Sequence, residues 1–181
     1  MSLRRPLGSL APLVLLVLPL FAAGQTKMVF LVRHAERASS APDSPLSDAG
    51  QRRADCLGST LKDAGIHSIF TTQYQRTQQT AAPLAKLLSL RPASLPADDQ
   101  PALIERIQAA SGNVLVVAHS DTLPAILQKL GIAQAVSIRS DEYDQLFVVT
   151  MGQGVPPAMA VLHYCEFSPP PASTEAPMIR K

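Results

Sequence analysis

Tryptophan is absent from this 181-residue chain, and aromatic residues make up only 4% of it. Apolar residues still reach 46%, so a core of ordinary size is available, built from aliphatic side chains. Only two cysteines occur, Cys56 and Cys165, far apart in sequence. They form no zinc pattern by themselves. Spacing does not decide whether they pair, and two buried free thiols are the simpler reading. No uninterrupted apolar run is long enough for a comfortable membrane span, which takes about 20 residues. No internal repeat is visible, and the length suits one domain.

The longest apolar stretch lies at the start. Arg4 and Arg5 precede SLAPLVLLVLPLF, which Pro12 and Pro19 interrupt, and Ala22-Ala23-Gly24 follows. This order reads as an export signal over residues 1–24, cleaved near Gly24. An uncleaved anchor is the alternative. Cleavage would leave a periplasmic or secreted protein with no stable membrane insertion. The whole chain has 16 Lys plus Arg against 14 Asp plus Glu. Both surplus arginines sit in the signal, so the remainder is neutral. No Lys/Arg cluster is left to argue for a nucleic-acid partner. At the other end, residues 167–181 are Pro-rich and poor in apolar side chains, which predicts a disordered tail. The folded domain is expected over 25–166.

Three short apolar runs in that domain each lead straight into polar residues. KMVFLV (27–32) leads into RHAER, HSIF (67–70) into TTQYQRTQQTA, and NVLVV (113–117) into AHSDT. Nearly continuous apolar runs of this length suit strands buried on both faces. Helical patterns alternate with them, over 48–64, 76–89, 99–110 and 122–130. Ser47 suits the first N-cap and Gly65 its end. Pro83 implies that the second helix starts near Thr80 or kinks. Asp98-Asp99 suits a turn and the start of the third. The alternation predicts an α/β fold with a mostly parallel sheet and helices on both faces. QLFVVT (145–150) and AMAVLHYC (158–165) predict an antiparallel hairpin at one edge.

In such sheets ligands collect beyond the carboxyl ends of the strands. The first strand would deliver Arg33 and His34 there. The second would deliver Thr71, Thr72 and then Arg76, and the third His119, Ser120 and Asp121. Two guanidinium forks match a tetrahedral dianion. Nearby cations hold an imidazole neutral, and a neutral imidazole nitrogen can attack phosphorus.

LVRHAE, PLSDAGQRRA, IFTTQYQRTQQTA and VLVVAHSDTLPAIL, in that order over about residues 28–150, resemble the histidine phosphatase superfamily, with its phosphoglycerate mutase-like fold. The closing AVLHY strand fits as well. The resemblance implies that His34 becomes phosphohistidine and that Arg33, Arg76 and His119 complete the phosphate pocket. It implies a phosphate-binding role for Thr72, whose hydroxyl stands where serine is frequent, water attacking the phosphoenzyme, a small-molecule phosphate ester as substrate, and neither metal nor organic cofactor. The short stretch 81–112 leaves no room for the large insertion of the mutases, which points to a compact phosphatase. The general acid stays open between Asp121, Glu105 and Glu36.

Other readings remain beside this one. A binding module of the same fold would hold phosphorylated ligands with little turnover. A metallohydrolase would use His34, Glu36, His119 and Asp121 as ligands, against the repulsion of Arg33 and Arg76. Arg37 suits either the pocket mouth or a solvated loop, and Tyr143 suits packing better than substrate contact. His67 and His163 read as structural. Arg52-Arg53 and the acidic cluster Asp141, Glu142 and Asp144 read as solvated faces.

Overall fold

The computed structural model describes residues 26–165. The proposed signal and the proposed tail lie outside these residues. Ten elements follow one another. They are β1 (Lys27–Arg33), α1 (Asp48–Leu61), β2 (Ile66–Thr72), α2 (Gln75–Leu87), β3 (Ala93–Leu95), α3 (Gln100–Ala109), β4 (Asn113–Ala118), α4 (Leu123–Lys129), β5 (Gln145–Gly152) and β6 (Val155–His163). One six-stranded sheet runs in the order β3-β2-β4-β1-β5-β6. Its β3-β2, β2-β4 and β4-β1 pairings are parallel, and its β1-β5 and β5-β6 pairings antiparallel. The predicted edge hairpin is therefore present, and it joins the parallel part through β1.

Side chains alternate along a strand, so a strand buried on both faces feeds two cores. In β1, Val29 and Leu31 pack with Ile107 of α3 and with Leu123, Ile126 and Leu127 of α4. Phe30 and Val32 face the other way, toward Leu57 and Leu61 of α1 and Ala81 and Leu84 of α2. Helices thus cover both faces. No helix among the described residues is long and apolar enough to cross a membrane. The outer strand β6 is largely exposed. Pro156 and Pro157 in it remove backbone donors, which blunts an edge that would otherwise template further pairing.

Helix ends follow the local chemistry with small shifts. Ser47 caps α1 by accepting from Gly50 N at 3.1 Å. Asp99 caps α3 by accepting from Ala102 N at 3.1 Å. The second helix meets the expected 76–89 extent closely, since α2 starts at Gln75 and runs through Pro83, and the later start near Thr80 is not taken. Gly58 of α1 lies against that proline, and a Cβ there would stand 3.2 Å from Pro83 Cβ. Close approach of the two helices therefore depends on glycine at this position. Strand β3 was not anticipated, since three residues between Pro92 and Pro96 carry no readable alternation.

The free-thiol reading is corrected: Cys56 and Cys165 form a disulfide. The antiparallel edge explains it. Gln145 pairs with His163, so the end of β6 lies at the same edge of the sheet as the end of β1. The chain then returns toward α1, where Cys56 sits with a Cα–Cα separation of 6.2 Å. The bridge closes a sequence separation of 109 residues. A loop of this size restricts the unfolded chain strongly, by an amount worth about 5 kcal/mol in the chain-entropy description. Replacing both cysteines with serine is expected to lower the melting temperature by several degrees. Melting the two proteins with and without reductant checks this, and identical melts for both would contradict it.

Candidate active site

The parallel strands β1, β2 and β4 end side by side, and their last residues meet at one edge. His34 follows β1 directly, and its backbone N–H donates to Ala118 O at 2.9 Å, extending the β1-β4 pairing by one step. Its Nδ1 lies 2.8 Å from Ala35 O. A carbonyl only accepts, so Nδ1 carries the proton and Nε2 keeps its lone pair. Burial, with the charges of Arg76 and Arg33 and the neighbouring His119 ring adding to it, depresses the His34 pKa to about 3. His34 is therefore a neutral imidazole with a free nitrogen at neutral pH.

His119 follows β4, and its ring centroid lies 5.3 Å from that of His34. Arg76 Nη2 approaches His119 Nδ1 at 3.5 Å, the outer limit of a hydrogen bond. A guanidinium only donates, so this contact assigns the His119 proton to Nε2, which lies 3.0 Å from Thr72 Oγ1. Thr72 Oγ1 in turn lies 2.9 Å from Thr77 Oγ1, which donates to Tyr74 O at 2.8 Å. Burial, followed by the Arg76 charge, lowers the His119 pKa to about 4, against the opposing pull of Asp121.

The two arginines are anchored through their backs. Arg33 Nη1 donates to the carbonyls of Arg139, Ser140 and Glu142 at 2.9, 3.1 and 2.9 Å. Its guanidinium carbon sits 4.0 Å from the centre of the Tyr143 ring. Strand β5 is antiparallel to β1, which brings the loop before it to the site edge and makes these contacts possible. Arg76 Nη1 donates to Pro42 O at 2.8 Å, and its guanidinium carbon lies 4.2 Å from the Tyr74 ring centre. The Nε atoms of both arginines are buried without a hydrogen-bond partner among the described residues.

Arg33, His34, Arg76 and His119 line one open cleft of about 370 Å³. Arg37, Tyr74, Ala97, Ser120, Asp121 and Thr122 complete its wall. Thr72 lies behind His119 and Thr71 is buried, its hydroxyl unpaired among the described residues. Of the three acid candidates, only Asp121 reaches the cleft. Glu105 is exposed on α3 and is absent from the wall. Glu36 is held by Arg53, whose Nε and Nη2 donate to Glu36 Oε1 at 2.9 and 2.8 Å. Arg53 is thus a buried partner and not a solvated charge, which corrects that expectation. It also draws Glu36 out of the metal-ligand set His34, Glu36, His119 and Asp121.

The acidic cluster is likewise more than a solvated face. Asp141 pairs with Arg139 in solvent, but Asp144 O accepts from Tyr164 N and its carboxylate lies 2.8 Å from His163 Nδ1. Glu142 Oε2 accepts from Arg139 N at 2.8 Å, tightening the loop that grips Arg33. His67 and His163 stand away from the cleft, as expected.

A model of the histidine phosphatase superfamily (branch 1) matches residues 24–107. Over those residues the chain resembles the histidine phosphatase superfamily. That match ends before His119, which the fold nonetheless brings to His34. Among curated relatives, PE-PGRS family protein PE_PGRS11 of Mycobacterium tuberculosis is 38% identical over 82 residues, 40% of this chain and 14% of its own length. GpmB of Yersinia enterocolitica, named with the phosphoglycerate mutases, is 39% identical over 70 residues, 35% of this chain and 33% of its own. The chain therefore spans a third or less of these relatives. Among solved structures, SixA of Nakamurella multipartitia, named for phosphohistidine phosphatase activity, superposes with a TM-score of 0.61 at 19% identity. That superposition covers 80% of this chain and 99% of the other.

One residue supporting this cleft is not marked as a site residue by the sequence motifs, although its spacing points to it. Thr80 lies four residues after Arg76, one helical turn on and on the same face. It is fully buried, its Oγ1 accepts from Ala35 N at 2.9 Å and donates to Arg76 O at 2.7 Å. Thr80 thereby ties the turn that carries His34 to the helix that carries Arg76. Thr80→Val leaves a buried N–H unpaired, which costs about 1–3 kcal/mol. Turnover is expected to fall more than affinity for substrate, and Thr80→Ser is expected to restore it. Equal turnover by Thr80→Val would remove Thr80 from the positioning role.

The depressed imidazole pKa values have a second consequence. The unfolded histidines take up protons near pH 6.5, whereas folded His34 and His119 resist until about 3 and about 4. Between those limits the unfolded state binds more protons, so stability present above pH 6.5 is progressively lost as pH falls. Titration of the two ring signals by NMR is expected to show midpoints below pH 5. A midpoint near 6.5 for either ring would contradict the buried, cation-facing environment.

Proposed function

We propose that this chain is a phosphomonoesterase that hydrolyses phosphate esters through a phosphohistidine on His34, without a metal or organic cofactor. The carrying observation is the hydrogen bond from His34 Nδ1 to Ala35 O, which leaves Nε2 unprotonated in a cleft also lined by Arg33, Arg76 and His119. In the first step Nε2 forms a bond to phosphorus as the bond from phosphorus to the ester oxygen breaks. Asp121, the acid candidate on the cleft wall, supplies the proton that the leaving oxygen needs. The two guanidinium groups, which line the cleft, meet the charge that gathers on the phosphoryl oxygens. In the second step water attacks the phosphohistidine, passes a proton to Asp121 and releases phosphate.

The N-terminal sequence supports an exported enzyme, either periplasmic or secreted, with an extracytoplasmic small-molecule ester as substrate. The short passage between α2 and α3 contains only the three-residue β3, which supports a compact phosphatase over a mutase.

His34→Ala is expected to abolish hydrolysis of 4-nitrophenyl phosphate and to yield no acid-labile phosphoenzyme in rapid-quench trapping. Full turnover by this variant would end the proposal. Asp121→Asn is expected to slow alkyl phosphates by about a hundredfold, in line with general acid catalysis. The effect on 4-nitrophenyl phosphate, whose leaving group needs little help, is expected to be much smaller. Equal losses on both substrate types would assign Asp121 a different role.

A further inference from the structure

We propose that Arg37 selects substrates whose alcohol portion carries a second anionic group, a carboxylate or a further phosphate, close to the scissile phosphoryl group. This rests on the phosphomonoesterase reading and names the substrate class within it. Arg33 and Arg76 are tethered from behind, to three carbonyls and to Pro42 O, and each lies against an aromatic ring. Arg37 is built differently. It lines the same cleft, its residue is exposed, and its guanidinium has no hydrogen bond or ion pair among the described residues. The backbone bridge from Arg37 to Leu46 fixes where the side chain starts while leaving its head free.

The charge count of the cleft points the same way. Its charged wall residues are Arg33, Arg37, Arg76 and Asp121. The two histidines are neutral there. When Asp121 holds the proton for the leaving group, three positive charges face a phosphoryl dianion, and one remains uncompensated. Burial is the main reason that Arg33, Arg76 and His119 hold protons less tightly than usual, and the Arg37 charge adds to it at all three. Arg37 is thus near enough to act on the site and is still spent on nothing within it. Its place at the rim suits contact with the part of the substrate beyond the ester oxygen. A guanidinium recognises carboxylate and phosphate by the same paired donors, so the two groups share this chemistry.

The test compares matched esters with the full protein and with Arg37→Gln. One pair is 4-carboxyphenyl phosphate and 4-carbamoylphenyl phosphate. The other is propane-1,3-diol bisphosphate and propyl phosphate, which separates a second phosphate from a carboxylate as the preferred group. The unaltered protein is expected to favour the more anionic member of at least one pair by about tenfold in kcat/KM, the scale of one charge-assisted hydrogen bond. Arg37→Gln is expected to collapse that ratio toward one. A ratio unaffected by Arg37→Gln in both pairs, or no preference in the unaltered protein, overturns the inference. Absence of hydrolysis of all four esters by the unaltered protein would instead overturn the phosphomonoesterase reading itself.

Discussion

Both backbone polar groups of Ala35 are used inside the protein, and the chemistry of the cleft depends on that. Its carbonyl accepts from His34 Nδ1, and its N–H donates to Thr80. The first contact selects the tautomer that exposes a nucleophilic nitrogen. The second ties the turn after β1 to helix α2, which carries Arg76. Were the turn to shift by an ångström, the imidazole would lose its orientation and the two halves of the cleft would separate. Orientation of this kind is a large share of what an active site supplies.

Around this turn the fold adds support from further away. Glu36 is locked to Arg53 of α1, and Arg53 also donates to Cys165 O at 3.2 Å. The disulfide then fastens Cys165 to the same helix. Gly50 contributes by being small, since a Cβ there would fall 2.2 Å from Glu36 O. The turn after His34 is thus pressed between α1 and α2. Few of its polar groups are left for water, which keeps the imidazole desolvated and neutral.

Electrostatics follow from the same enclosure. Placing two guanidinium groups beside two imidazoles is unfavourable unless the imidazoles stay unprotonated, and burial enforces that state. The arginines are anchored by carbonyls on their outer sides, so their charge is not neutralised by a carboxylate. Asp121 is the one carboxylate on the cleft wall, and against the burial that lowers the pKa of both arginines its charge acts to raise it, without a hydrogen bond to either.

Much of this was legible in the sequence. The apolar runs ending in RHAER, TTQ and AHSDT marked strands buried on both faces, and the rule that ligands gather at strand ends placed His34, Arg76 and His119 together. Local signals are strong here because strand burial and capping depend on neighbouring residues alone. The general acid was not decided by sequence distance, because Glu36 is close to His34 along the chain yet points to Arg53. The role of the 139–144 loop was equally hidden. Its carbonyls reach Arg33 only because β5 runs antiparallel to β1, a pairing that joins residues more than a hundred positions apart.

The sequence alone thus determined the α/β alternation, the helix cap at Ser47, and the identity of the groups lining the cleft, since these depend on periodicity and on residues adjacent in the chain. Only the tertiary structure decided that Cys56 meets Cys165, that Arg53 removes Glu36 from the cleft, and that Arg37 stays unpaired at its rim. Those outcomes depend on which distant segments the sheet order brings side by side, and that information is carried by no single stretch of residues.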